Sequence, residues 1–256
     1  MQPGMAPLPN GNNCKQGACS CPKGQEHMQN CDKCKAQGGM CEECKAKCQQ
    51  MGMQGAPCEY KFYYFDAQGR GEQIRALFRF YQTKFEDVRV RLDQWPTMKF
   101  DPKFEYGQLP VLEVKGHTIS QSSAILYFLG MQFKCIPSDP MDEYEMNNVI
   151  CAVNDIITGM STIMMGSKTP EERNQKMGEF FAKTFPFYAE RIENKLRAKG
   201  GDKRYNIGNN VSLADFSLVG LAIAIFSNPD GQMIKKMITE KFPILSEYID
   251  GMLKRV

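Results

Sequence analysis

Strong charge, long apolar runs and an exportable start are all missing from this 256-residue chain, and each absence excludes something. The formal net charge is only +3, too small to mark a nucleic-acid or membrane-surface partner. No uninterrupted apolar run approaches the roughly 20 residues that a helical membrane span requires. Gln2, Pro3 and Pro7 stand where an export signal needs a continuous apolar segment, so a cytoplasmic protein is expected. Residues 1 to 57 contain no Val, Ile, Phe, Tyr or Trp, and Leu8 is their only Leu. Such a segment cannot bury enough apolar surface to offset its ordering entropy, so alone it is expected to lack a fold.

That head holds what the remainder lacks. Of the 11 Cys, nine lie at or before Cys58, and only Cys135 and Cys151 follow. The odd total argues against a complete disulfide framework in a reducing compartment. Cys31 and Cys34, then Cys41 and Cys44, form two CxxC pairs with six residues between them, flanked by Cys14, Cys19, Cys21 and Cys48. Paired CxxC is a thiolate-ligand pattern, and zinc held by Cys31, Cys34, Cys41 and Cys44 is one reading. The spacer is short for a zinc module, which favours a loose metallothionein-like cluster if metal binds. A free thiol-rich tail and a cross-linked docking segment held by a large assembly are the others, the last with a cytoskeletal or ciliary location.

The body from residue 58 onward carries strong periodicity. Tyr60 to Phe65 reads as a buried strand that breaks at Asp66-Ala67-Gln68-Gly69-Arg70-Gly71 into a helix. Ile74, Leu77, Phe78 and Tyr81 share one face of that helix. A strand over Phe85 to Leu92, a short irregular or helical connection over Asp93 to Phe100, and a hairpin through Val111–Val114, Lys115-Gly116 and His117–Ile119 follow. A helix is expected from Ser120 to Leu129. The order βαβ then ββα is that of a thioredoxin-like domain. From Asp142 onward the pattern is helical throughout, with breaks at Thr169-Pro170, Gly200-Gly201, Asn228-Pro229 and Phe242-Pro243. Ser212 and Asp215 have capping-box spacing, with Val211 and Phe216 as the hydrophobic staple. The reading is therefore α/β + all-α, with a cysteine-rich extension over 1–57, a thioredoxin-like domain over 58–137 and an all-helical domain over 138–256.

On periodicity alone, Tyr64 is one more core aromatic beside Tyr60, Phe62 and Tyr63. The Gly-Arg-Gly-Glu that follows it turns the reading toward chemistry. This strand, turn and helix resembles the opening of a cytosolic glutathione S-transferase, most closely the sigma class, and the resemblance spans about 58 to 256. It implies a homodimeric enzyme that uses glutathione as co-substrate. Thiolate attack on a small electrophile, or a glutathione-assisted isomerisation such as prostaglandin D synthase activity, would be the reaction. A thiol of pKa about 8.5 is only a few per cent thiolate at neutral pH, and thiolate is the nucleophile. A neutral phenol donating to sulfur favours the anion. The resemblance assigns that part to Tyr64, with Arg70 as the supporting cation.

Further positions match the family pattern in the same order. Gln108-Leu109-Pro110 corresponds to its cis-proline turn, whose Leu109 backbone would pair with the cysteinyl part of glutathione. Gln121-Ser122 would receive the γ-glutamyl carboxylate, and Trp95 and Lys99 the glycyl carboxylate. Asp155 would reach the γ-glutamyl amine from the partner subunit. Met160, Ile163, Met164 and Met165 could form an adaptable wall for the electrophile, or simply be core. Trp95 and Lys99 read equally as a core tryptophan and a solvated lysine when taken singly. The first turn has no Cys, which disfavours redox chemistry by the protein's own sulfur. The alternatives are a non-catalytic structural protein on the same scaffold, as in lens crystallins of this lineage, and a metal-binding protein acting through its head.

Overall fold

The computed structural model describes residues 59–198, 204–228 and 231–256. The cysteine-rich head, with Cys31, Cys34, Cys41 and Cys44, lies outside them, as do the Gly200-Gly201 break and Pro229. The chain divides into two compact units, Met1–Cys58 and Glu59–Val256, and the described residues all belong to the second.

The second unit opens with β1 (Tyr60–Phe65), α1 (Glu72–Phe80), β2 (Glu86–Val90), the one-turn α2 (Trp95–Met98), β3 (Val111–Val114), β4 (His117–Ser120) and α3 (Ser122–Phe133). The strands lie in the order β2-β1-β3-β4, with β1 parallel to β2 and antiparallel to β3. Parallel pairing of β1 and β2 requires a crossover, and α1 provides it. The β3–β4 turn has positive φ at both Lys115 (48°) and Gly116 (78°), the conformation that matches the twist of a two-residue hairpin. Alternation along β1 sends Phe62 and Tyr64 to the main core with Ile74, Leu77 and Phe78 of α1, and Tyr63 to a smaller cluster with Phe104, Val111 and Trp95.

Three expected boundaries moved. The helix expected from Ser120 begins at Ser122, because Ser120 pairs with Val111 as the last residue of β4. Gln121 makes the corner with φ 69° and ψ 116°. The helix also outlasts its expected end and stops at Lys134 in the left-handed region, φ 56°. The strand expected over 85–92 shortens to Glu86–Val90.

The second half is helical among the described residues: α4 (Pro140–Gly166), α5 (Pro170–Glu179), a π-helical turn (Phe180–Thr184), α6 (Phe185–Ala198), α7 (Leu213–Phe226), α8 (Gly231–Lys241) and α9 (Pro243–Leu253). Side chains cap the entries where the sequence breaks. Asp139 accepts from the N–H groups of Met141 and Asp142, and Thr169 from that of Glu172. Helix α9 begins on Pro243 and is capped from another helix, since Glu193 of α6 accepts the Leu245 N–H at 2.7 Å.

Helix α7 is the central post, buried over most of its length and packed on both α1 and α4. Its approach to α1 depends on Gly220, where a Cβ would lie 2.5 Å from the Gln73 backbone nitrogen. Ser217 donates to Gln73 Oε1 in the same interface, at 3.0 Å. By length and composition, α4 is apolar enough to cross a membrane, with mean hydropathy 1.5 over its most apolar window. Asn147, Asn148, Asn154 and Asp155 interrupt it, so that mean is reached without any continuous apolar run. Its Val149, Val153 and Ile156 are buried in the core.

Candidate active site

Tyr64 stands one residue before the carboxyl end of β1, where open α/β sheets present ligands. The residue is buried, 8% exposed. The Arg75 guanidinium lies 5.5 Å from the ring centroid and is itself fully buried. Glu72 at 2.7 Å and Asp87 at 3.0 Å compensate that charge, which explains a buried arginine and the final Glu of Gly-Arg-Gly-Glu.

The two glycines of that motif have a steric cause. A Cβ on Gly71 would fall 2.5 Å from the Tyr64 ring carbon Cδ1, and one on Gly69 would fall 2.7 Å from its hydroxyl oxygen. The turn therefore wraps the phenol, and any side chain at these positions would displace it. Between the glycines, the Arg70 backbone N–H donates to Tyr64 Oη at 3.0 Å. The hydroxyl thus acts as an acceptor within the protein, and its own proton has no acceptor among the described residues. Burial pushes the Tyr64 pKa up, against the Arg70 N–H and the charges of Arg70 and Arg75, so the group is a neutral phenol at neutral pH.

The Arg70 side chain reaches the helical half. Its guanidinium donates to Asn154 Oδ1 at 3.2 Å and to Thr158 Oγ1 at 2.8 Å, both on α4. Asn154 donates in turn to Ser123 Oγ, one residue beyond Gln121-Ser122, at 3.1 Å. Among the described residues, the β1–α1 turn, the start of α3 and the middle of α4 are thus joined by one polar chain.

The remaining positions surround this centre unevenly. The Leu109–Pro110 peptide bond is cis, a point the sequence left open. Tyr63 pairs with Val111, so the register carried one residue further sets Pro110 across from Tyr64. Trp95 packs edge-on against Phe65 and Phe104, 5.5 and 5.0 Å between centroids, so it is both partly buried core and neighbour of the strand end. Lys99 is exposed beside Phe100, and Gln108 is exposed in the turn before Leu109. Ser122 is buried at the first turn of α3, while Gln121 is exposed. Asp155 is exposed, and its neighbour Asn154 holds the contact with Arg70 instead. Of the expected apolar wall, Met160 and Ile163 pack against the core, and Met164 and Met165 are exposed.

The sequence pattern does not point to Asn154, Thr158, Ser123 or Arg75. A faint signal exists for two of them, since Asn154 and Thr158 are polar at i and i+4 within an apolar stretch of helix. Arg75 gives none, because an arginine four residues after a Gly reads as surface. No group of three or more His, Cys, Asp or Glu able to hold a metal occurs among the described residues.

A four-stranded thioredoxin-like sheet followed by an all-helical second half defines the class of fold. Residues 60–131 match the family description "Glutathione S-transferase, N-terminal domain", and residues 154–255 match "Glutathione S-transferase, C-terminal domain". The chain belongs to the glutathione S-transferase family, in its sigma-class and prostaglandin D synthase lineage. Glutathione S-transferase 1 of Ascaris suum is 32% identical, over 61% of this chain and 75% of that protein. Hematopoietic prostaglandin D synthase of Mus musculus is also 32% identical, over 61% of this chain and 74% of its own length. The solved sigma class GST of Fasciola hepatica superposes with TM-score 0.65 at 28% identity, covering 77% of this chain and 91% of that one. These relatives are named as glutathione S-transferases or a prostaglandin D synthase, and by that kinship the chain is a glutathione transferase.

Proposed function

We propose that the protein activates the thiol of bound glutathione through the Tyr64 hydroxyl, for attack on an electrophile or for glutathione-assisted isomerisation. The observation that carries this is the direction of the Tyr64 hydrogen bond. Its oxygen accepts from Arg70 N–H, so the phenolic proton is left to donate to a sulfur anion. The thiol proton leaves to solvent and the sulfur lone pair forms the new bond to carbon. In a substitution the carbon–leaving-group bond breaks and its pair departs with the leaving group. In an addition the π pair moves onto the neighbouring atom, which then takes a proton from solvent. Lowering a thiol pKa by two units takes about 2.7 kcal/mol of differential stabilisation. One charge-assisted hydrogen bond with a nearby guanidinium is of that order.

Glutathione would lie along the Gln108-Leu109-Pro110 turn, pairing with the Leu109 backbone. Its γ-glutamyl carboxylate would meet the opening N–H groups of α3 at Gln121 and Ser122. Recognition of the glycyl carboxylate falls to Trp95 and Lys99. In this reading the glutathione-binding domain occupies 58–137 and the helical domain 138–256, with Met160, Ile163, Met164 and Met165 beside the electrophile. A homodimer would bring Asp155 to the neighbouring site. The exposed Tyr127 and Met131 of α3 and Met141 and Tyr144 of α4 support it, as apolar side chains on two adjacent helices.

Conjugation assays on the full chain, with Tyr64→Phe beside wild type, test the proposal. Activity that survives Tyr64→Phe would remove the tyrosine mechanism. Glutathione binding by an inactive wild type would leave only the non-catalytic scaffold.

A further inference from the structure

Arg70 and Arg75 flank the same tyrosine, yet the fold treats their charges oppositely. Arg75 is fully buried and paired with Glu72 and Asp87. Arg70 reaches out to α4 and finds an amide oxygen and a hydroxyl, Asn154 Oδ1 at 3.2 Å and Thr158 Oγ1 at 2.8 Å. Among the described residues, no carboxylate lies within ion-pair distance of it. Both acceptors are themselves held. Thr158 Oγ1 donates to the Asn154 carbonyl at 2.7 Å, one turn earlier on α4. Asn154 Nδ2 donates to Ser123 Oγ at 3.1 Å. The guanidinium of Arg70 only donates, so it is Arg70 that requires the amide oxygen on its side, while the Ser123 hydroxyl can accept from the nitrogen.

We propose that Asn154, assisted by Thr158, is a positioning residue that holds the Arg70 guanidinium in place while leaving its positive charge unneutralised. The inference rests on the roles proposed for Tyr64 and Arg70 and deepens them. An arginine answered by a carboxylate has little field left for a third group, whereas one held by neutral acceptors keeps its full charge for an anion. An amide suits the position because it accepts from Arg70 and donates to Ser123 at once. The other charged groups around the phenol do not replace Arg70. Arg75 is compensated, Asp66 lies 3.7 Å from Arg89, and Asp155 is exposed on the solvent side of α4. Ser123, the contributor from α3, is neutral.

The test is a titration of the ultraviolet absorbance of thiolate in the full chain saturated with glutathione. Asn154→Asp places a carboxylate at ion-pair distance from Arg70 and is expected to raise the thiol midpoint by about one pH unit, or about tenfold less thiolate at fixed pH. Thr158→Val removes one of two ties and is expected to lower the thiolate ratio about twofold, while Thr158→Ser restores it. Tyr64→Phe separates the two claims. No rise with Tyr64→Phe defeats the tyrosine mechanism itself. A rise with Tyr64→Phe but none with Asn154→Asp overturns the role of Asn154 alone. If Asn154→Asp cannot be saturated, the neutral double variant Asn154→Ala, Thr158→Val is titrated instead, and an unchanged midpoint overturns the proposal. Loss of glutathione binding in both would overturn it too, by assigning the pair to ligand affinity.

Discussion

Tyr64 and Tyr248 are both buried phenols whose pKa is driven up by desolvation, and they differ in where the proton goes. Tyr248 donates to Asp215 Oδ1 at 2.5 Å. The same oxygen accepts the Asn206 N–H at 2.6 Å, while Oδ2 takes the N–H and hydroxyl of Ser212 at 2.7 and 2.9 Å. Both oxygens of that carboxylate are answered twice from within the protein, so it has no acceptor position left open. Around Tyr64 the hydrogen bond runs inward, onto the phenol oxygen, and the donor is left over. A buried polar group with no free valence holds a fold together; one with a spare donor at a strand end can meet a ligand.

The contrast can be broken most forcefully at Asp215. Asp215→Ala strands the Asn206 and Ser212 donors and the Tyr248 hydroxyl, and about 4 kcal/mol of stability is expected to go, read by urea unfolding. Tyr64→Phe should leave the unfolding midpoint almost in place while conjugation falls about a hundredfold, the equivalent of two pKa units. Gly71→Ala tests whether the wrap of the turn matters, because its Cβ would fall on the phenol ring. It should cost about 2 kcal/mol in stability and about tenfold in rate, since the ring must shift. Tyr248→Phe is the mildest and the most diagnostic. It should lower stability by about 1.5 kcal/mol with turnover unchanged, and a loss of turnover matching that of Tyr64→Phe would erase the distinction.

Both clusters are partly legible in the sequence. Ser212-x-x-Asp215 is a local device, closed within one helical turn, so its spacing alone identifies the capping box. Its third and fourth partners, Asn206 and Tyr248, come from separate segments and leave no mark at that spacing. Tyr64 is legible through the Gly-Arg-Gly-Glu motif, and the two glycines follow from the ring they wrap. The helix start at Ser122 lies two residues beyond its expected place because Ser120 is a weak strand former whose position is set by pairing with Val111. Arg75 is invisible for a related reason, since its burial depends on Asp87 arriving from β2.

Chain order and periodicity by themselves determined the strand–helix alternation of the first half, the helical second half and the turn at Lys115-Gly116. These depend on contacts between near neighbours, which spacing records. Tertiary structure alone decided which way the Tyr64 hydrogen bond points, why Arg75 can be buried, and that Arg70 meets Asn154 and Thr158, 84 and 88 residues away, with no carboxylate between. Those are properties of where charges and donors end up in space, and the field at a reacting atom depends on distance through the fold, not along the chain.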